Sequence, residues 1–263
     1  MSAVPGESLV QAPGDVFDLT GYTVVLTGAS SGLGARFARV LSAAGAHVHA
    51  AARRLERVSA VAADDERITA VRCDVTDAGD RERLVEAAAA RTGRVDVLVN
   101  CAAVPGRPDT DSESAGDFAK VLETNLVAPY DLCRLVAERA EIDRGAAVVN
   151  VASILGLVSG APLGGAGYAA SKAGLIGLTR ELAGQWGRRG IRVNALAPGW
   201  FHTEMNDAVF TDERSAAWVD RNTMLRRPGK PAELDGALLY LASAASSYCT
   251  GQVLVVDGGW TAR

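Results

Sequence analysis

The sequence predicts an α/β fold: a doubly wound parallel sheet of about seven strands with helices on both faces. Three observations carry that expectation. Short apolar runs rich in Val, Ile and Ala recur along the chain, and segments with apolar residues at helical spacing separate them. No linker, repeat or low-complexity segment interrupts this alternation after about residue 15. Apolar runs without an alternating polar face mark strands buried on both sides, and right-handed crossovers deposit a helix on one side or the other.

The elements follow in order. Residues 1–15, with Pro5, Gly6, Pro13 and Gly14, read as a flexible N-terminal arm; residues 16–263 read as one domain. Tyr22 to Leu26 is a buried strand that Thr27-Gly28 ends in a turn. Residues 33–44 carry Leu33, Phe37, Val40, Leu41 and Ala44 on one helical face, stopped by Gly45. Ala46 to Ala51 is the second strand, and Ile68 to Arg72 the third, after a helix rich in Arg and Glu. A helix over 78–91 leads to the fourth strand, Val95 to Val99. A helical region over 115–140 precedes the fifth, Ala146 to Val151. A long helix over 166–188 precedes the sixth, Ile191 to Ala195. A last helix near 231–243 leads to Val253–Val256.

Composition narrows the function. The 263 residues hold 27 Lys+Arg against 31 Asp+Glu, a net charge of −4, which supplies no global attraction to nucleic acid or an anionic membrane. There is no apolar run long enough to span a bilayer and no export signal, so a cytoplasmic protein is expected. The cysteines, Cys73, Cys101, Cys133 and Cys249, have neither metal-knuckle spacing nor the density of a disulfide scaffold. Only Lys120, Lys172 and Lys230 are lysines.

The first turn is the richest in chemistry. Thr27-Gly-Ala-Ser-Ser-Gly-Leu-Gly34 joins the first strand to the first helix. Gly28, Gly32 and Gly34 suit a tight turn in which backbone approaches a pyrophosphate and a helix N-terminus faces it, with Ser30, Ser31 and Leu33 alongside. A dinucleotide site is therefore expected there. At the end of the second strand stand Arg53 and Arg54 where a carboxylate would hold a ribose 2′-hydroxyl. A guanidinium suits a 2′-phosphate, so NADP(H) is favoured, with NAD(H) as the alternative. The plainer reading makes both arginines solvated residues at a helix start.

Further along, Tyr168 and Lys172 lie at i and i+4 on one helix face. Ser153 follows the fifth strand, at the carboxyl edge where open parallel sheets bind ligands. With Asn125 in Glu123-Thr-Asn-Leu126, the ordered set resembles the short-chain dehydrogenase/reductase family, in its compact single-domain branch. The resemblance covers about residues 17–260. It rests on the glycine turn, Asp74-Val75, Asn100-Cys-Ala-Ala103, Asn125, Ser153, Tyr168 with Lys172, Pro198-Gly199 followed by Thr203, and Val256-Asp-Gly-Gly259.

The resemblance implies a Rossmann-like fold and hydride transfer between a nicotinamide cofactor and a secondary alcohol or ketone. Tyr168 would be the general acid/base. Lys172 would lower its pKa and hold the nicotinamide ribose, Ser153 would bind the substrate oxygen, and Asn125 would support a proton path behind Lys172. A phenol near pKa ~10 would need to fall by ~2–3 units to serve as a base. By the same resemblance, Asp74 and Val75 would bind adenine, Asn100 and Ala102 would line the adenosine side, and Pro198, Gly199 and Thr203 would meet the nicotinamide. A homotetramer is implied, with the long helices and the C-terminal strand region between subunits. Three departures stand out: Cys101 and Ala103 replace the usual Asn and Gly, Ser31 stands where NADP-preferring members often carry a basic residue, and the Ser153-to-Tyr168 spacing is long. The Gly160–Gly165 stretch is expected to absorb that length as a loop.

Trp200, Phe201 and Met205 are candidates to line the substrate cleft, and Trp200 to Arg227 to form its lid. His202 reads as a loop residue beside the pocket, and Trp186 as core or interface. His47 and His49 share a strand face but are not expected to hold metal. A non-enzymatic dinucleotide-binding regulator on the same fold is the competing class; such a protein would be expected to lack Tyr168 or Lys172.

Overall fold

Strand β1 (Thr23–Thr27) lies in the interior of the sheet, all five residues buried. The structure, a computed structural model, describes residues 12, 14–107, 110–140 and 145–262. Apart from residues 12, 14 and 15, the predicted arm lies outside them. After β1 come α1 (Gly32–Ala43), β2 (His47–Ala52), α2 (Leu55–Ala62), β3 (Ile68–Arg72), α3 (Ala78–Ala89) and β4 (Val97–Asn100). The second half carries α4 (Ala115–Leu122), α5 (Ala128–Glu138), β5 (Ala146–Val151), α6 (Ala166–Trp186) and β6 (Ile191–Pro198). It ends with α7 (Asp207–Thr211), α8 (Glu213–Asn222), α9 (Asp235–Ala242) and β7 (Val253–Val256).

Among the described residues the seven strands form one sheet in the order β3-β2-β1-β4-β5-β6-β7, every pair parallel. Strand residues alternate between two cores. Val24 and Leu26, Val97 and Val99, and Val149 and Val151 face Phe37 and Leu41 of α1, Val58 of α2 and Leu238 of α9. Val25, Leu98 and Val148 face Leu84 of α3, Leu132 and Val136 of α5 and Leu182 of α6. Covering both faces removes every strand of the sheet interior from water, which is why these strands read as unbroken apolar runs.

The order reverses between β1 and β4, the topological switch point at which open α/β sheets bind ligands. Two glycines make the turn there. Gly28 has φ +76°, and a Cβ on it would lie 2.7 Å from the Ala102 amide nitrogen. A Cβ on Gly34 would collide with the Gly28 carbonyl. The turn thus brings α1 and the β4 loop into backbone contact that no side chain would permit.

Three elements differ from the expected pattern. The helical region over 115–140 is broken by a π-helical turn, Glu123–Val127, between α4 and α5. β6 runs on to Pro198, because it pairs with β5 on one side and β7 on the other. The helix expected near 231–243 starts as a 3₁₀ turn, Pro231–Leu234, before α9. No described helix is long and apolar enough to cross a membrane.

Candidate active site

A cleft opens along the carboxyl edge of the sheet. Gly28, Ser30, Ser31, Gly32, Leu33 and Gly34 form its floor at the first turn. Ser31 is the N-cap of α1, but its side chain makes no capping hydrogen bond. The first-turn N–H groups of α1 therefore face the cleft, and helix N-termini of this kind bind phosphate. Arg53, Arg54, Asp74 and Val75 line one end. One Asp74 oxygen accepts from the Thr76 amide (3.0 Å) and hydroxyl (2.8 Å), which fixes the carboxylate. Cys101, Ala102 and Ala103 form the wall, and Pro198, Gly199 and Thr203 the other end. Thr203 donates its hydroxyl to Asn206 Oδ1 (3.0 Å), holding the start of the lid. A phosphate cradle, an adenine-side carboxylate and paired arginines in one groove fit a dinucleotide.

At the far end, Ser153, Tyr168 and Lys172 come together. Ser153 stands two residues past β5, and its Oγ accepts the Leu155 N–H at 3.1 Å. Tyr168 lies in the first turn of α6 and Lys172 one turn further on. The Lys172 ammonium sits 5.5 Å from the centre of the Tyr168 ring and donates to the Val151 carbonyl at 2.7 Å. Only 3% of Lys172 is exposed. Burial pushes the Tyr168 hydroxyl up to about 12, against the opposing pull of the Ser153 hydroxyl, and pushes Lys172 down to about 8. Among the protein's own groups burial is the largest cause acting on Tyr168, and the Ser153 hydroxyl does not offset it.

Two predicted site residues lie off the cleft. Asn100 shares its strand face with Leu98, so its amide points beneath the wall, donating to Asn150 Oδ1 at 2.9 Å. It does not line the cleft; Cys101 and Ala102 do. Asn125 is fully buried in the π turn. Its side chain clamps Val104 through both backbone groups, each at 2.9 Å, and donates to Ser171 Oγ at 3.1 Å. It positions the loop after β4 and the catalytic helix, with no side-chain bond to Lys172. Trp200 also leaves the cleft, packing with Trp218 and Trp260 (ring centres 5.0–6.3 Å apart) beneath the lid. Phe201 and Met205 do line the cleft. His202 bonds Asp207 at 2.7 Å, and Trp186 packs partly buried against the core. His47 meets Arg91 at 2.7 Å, and no described group of His, Cys, Asp or Glu is arranged to hold a metal ion.

The cleft also uses residues that sequence reasoning missed. Glu204 and Asn206, from the lid, line it. Glu113 accepts the Gly167 N–H at 3.0 Å, placing a carboxylate at the N-terminus of α6, where Gly165 offers no side-chain cap. A carboxylate ahead of an uncapped helix is a usable signal in principle, but a partner 54 residues away is invisible to local spacing.

The fold and cleft define a dinucleotide-binding α/β domain with a Ser–Tyr–Lys site at its switch-point edge. A family model described as enoyl-(acyl carrier protein) reductase matches residues 28–261. Gluconate 5-dehydrogenase of Gluconobacter oxydans is 36% identical over 252 residues, 94% of this chain and 97% of that protein. A 3-oxoacyl-(acyl-carrier-protein) reductase of Rickettsia bellii is 36% identical over 245 residues, 93% of this chain and 98% of that protein. The crystal structure of a gluconate 5-dehydrogenase from Burkholderia cenocepacia, in complex with NADP and tartrate, superposes with a TM-score of 0.89 at 32% identity, covering 96% of this chain and all of that one. The chain belongs to the short-chain dehydrogenase/reductase family and is an oxidoreductase.

Proposed function

We propose that the protein is an NADP(H)-dependent oxidoreductase that interconverts a secondary alcohol and its ketone, with NAD(H) as the weaker cofactor. The observation that carries this is the meeting of Ser153, Tyr168 and Lys172 at the end of the groove that begins at the Gly28–Gly34 turn. The NADP in the Burkholderia structure and the arginines after β2 support the cofactor choice. When bound, the dinucleotide supplies the hydride and, in its oxidised form, a positive ring beside Tyr168.

The side chains divide the remaining work. Ser153 accepts from Leu155 and shares a hydrogen bond with the Tyr168 hydroxyl, so a substrate oxygen placed between the two would accept a hydrogen bond from Ser153. Tyr168, held near 12, is protonated at neutral pH and suited to donate its proton to a ketone oxygen as the alcohol forms. Lys172 is pinned by the Val151 carbonyl, and from there its ammonium would hold the nicotinamide ribose. Asn125 positions Val104 and Ser171 around them. The substrates named for the relatives differ, so the alcohol itself is best found by a screen of ketones and alcohols with both cofactors. In that screen Tyr168→Phe is expected to lower kcat at least about 100-fold. Undiminished turnover by this variant would refute the assignment of Tyr168, whereas no turnover by wild type on any ketone or alcohol with either cofactor would favour the regulator reading.

We also propose a homotetramer. The four apolar residues of edge strand β7 are only half-buried, and Val127 and Tyr130, at the start of α5, are exposed. An uncovered apolar edge is a pairing surface. Light scattering should give a four-subunit mass; a monomer mass would contradict this.

A further inference from the structure

The adenosine end of the cleft contains an ion-pair cluster that neither the fold nor hydride transfer requires. Arg54 Nη2 donates to Ser30 Oγ at 3.1 Å and to Ser31 Oγ at 3.3 Å. The same guanidinium pairs with Glu204, Nη1 to Oε1 at 3.0 Å. Arg57, on α2, holds that carboxylate through both oxygens, at 2.9 and 3.1 Å. The cluster therefore ties the first turn and α2 to the residue directly after Thr203, at the start of the lid. Hydrogen bonds from Arg54 and Ser31, with support from Arg57, hold the Glu204 carboxyl down to about 2, so it is anionic at every working pH. Arg53 differs: it lines the cleft, and no ion pair or side-chain hydrogen bond joins it to another described residue.

These donors are the ones a 2′-phosphate would use. Two serine hydroxyls and the Arg54 and Arg57 guanidiniums, with Arg53 in the same cleft, make a dianion site, and the chain has placed a carboxylate among them. With Glu204 present, the Arg54 and Arg57 guanidiniums share one carboxylate; without it, both lose that partner. A neutral ribose 2′-hydroxyl feels little of this difference, whereas a phosphate carrying nearly two charges feels it in proportion. We propose that Glu204 sets cofactor selectivity: by engaging Arg54 and Arg57 it weakens the preference of the site for a dinucleotide with a 2′-phosphate over one with a 2′-hydroxyl. This rests on the NADP(H) reading above. It also gives the fold a means of moving between cofactors without altering Arg53.

The test is direct binding. NADPH and NADH are titrated by fluorescence into wild type, Glu204→Gln and Arg53→Ala. Glu204 is about half exposed, so its amide variant is expected to fold normally. The NADH-to-NADPH Kd ratio should rise about threefold in Glu204→Gln at about 0.15 M salt, and roughly tenfold at about 0.01 M, where screening is weaker. An unchanged ratio in Glu204→Gln, with a falling ratio in Arg53→Ala, would overturn the role of Glu204 and leave the NADP(H) reading intact. Equal weakening of both cofactors would overturn it too, making Glu204 a strap on the lid and not a discriminator. If wild type binds NADH more tightly and Arg53→Ala changes nothing, the NADP(H) reading fails and the proposal with it.

Discussion

The two ends of the cleft solve opposite electrostatic problems. At the Ser153–Tyr168–Lys172 end Lys172 is buried and Tyr168 half-buried, with single backbone or hydroxyl partners and no carboxylate in hydrogen-bond reach. At the adenosine end Arg54, Arg57 and Glu204 are each about half exposed and bonded to one another. Burial therefore dominates at the first, moving Tyr168 to about 12 and Lys172 to about 8, while direct pairing dominates at the second. The lesson is that one groove can keep its chemistry insulated from salt while its choice of cofactor stays adjustable. Exposed pairs are individually weak and screened, but a dianionic ligand multiplies their effect.

Changes at the buried end should break this contrast most severely. Lys172→Met keeps the volume and removes the ammonium, and kcat should fall about 100-fold or more. The same variant tests the pH dependence. Lys172 is lowered to about 8, so its positive charge is present below that pH and lost above it. Affinity for the anionic dinucleotide should therefore decline as pH rises through about 8 in wild type, and the inflection should vanish in Lys172→Met. A flat wild-type titration would contradict the burial argument.

Next in size is the exposed end. Arg53→Ala should reduce NADPH affinity about tenfold, with NADH affinity nearly unchanged, and the loss should shrink as salt rises. A loss independent of salt would place Arg53 in packing and not in charge recognition. The smallest effect is expected from Glu113→Ala, which removes the carboxylate at the head of α6. Loss of a cap of about 1 kcal/mol corresponds to a Tm lower by about 2–4 °C for a chain of this size. Thermal unfolding followed by circular dichroism checks it.

Most of the scaffold was legible because it depends on local pattern. Ile68–Arg72, Ala146–Val151 and Val253–Val256 are strands over the predicted ranges, since apolar runs in a two-faced parallel sheet carry their own boundaries. The glycine turn was legible for a steric reason that backbone contact at Ala102 makes plain. The direction of the Asn100 side chain was legible: period two puts it on the face of Leu98, under the wall and against Asn150. The π turn at Asn125 was not legible, because the bonds Asn125 makes there are tertiary, to Val104 and Ser171. Helices α7 and α8 were anticipated only as a lid: α7 spans five residues, too few to show a period, and α8 carries few apolar residues among its charges. Arg54 and Glu204 lie 150 residues apart, and no spacing rule joins them.

The central claim is that chemistry and cofactor choice reside at separate ends of one cleft. It is tested most directly by measuring, on one identified ketone, kcat and the NADH-to-NADPH Kd ratio for Tyr168→Phe and Arg53→Ala side by side. The account predicts that Tyr168→Phe loses turnover at least about 100-fold with the ratio unmoved, while Arg53→Ala lowers the ratio about tenfold with kcat nearly intact. If each variant shifts both quantities together, the two ends do not act separately and the account is wrong.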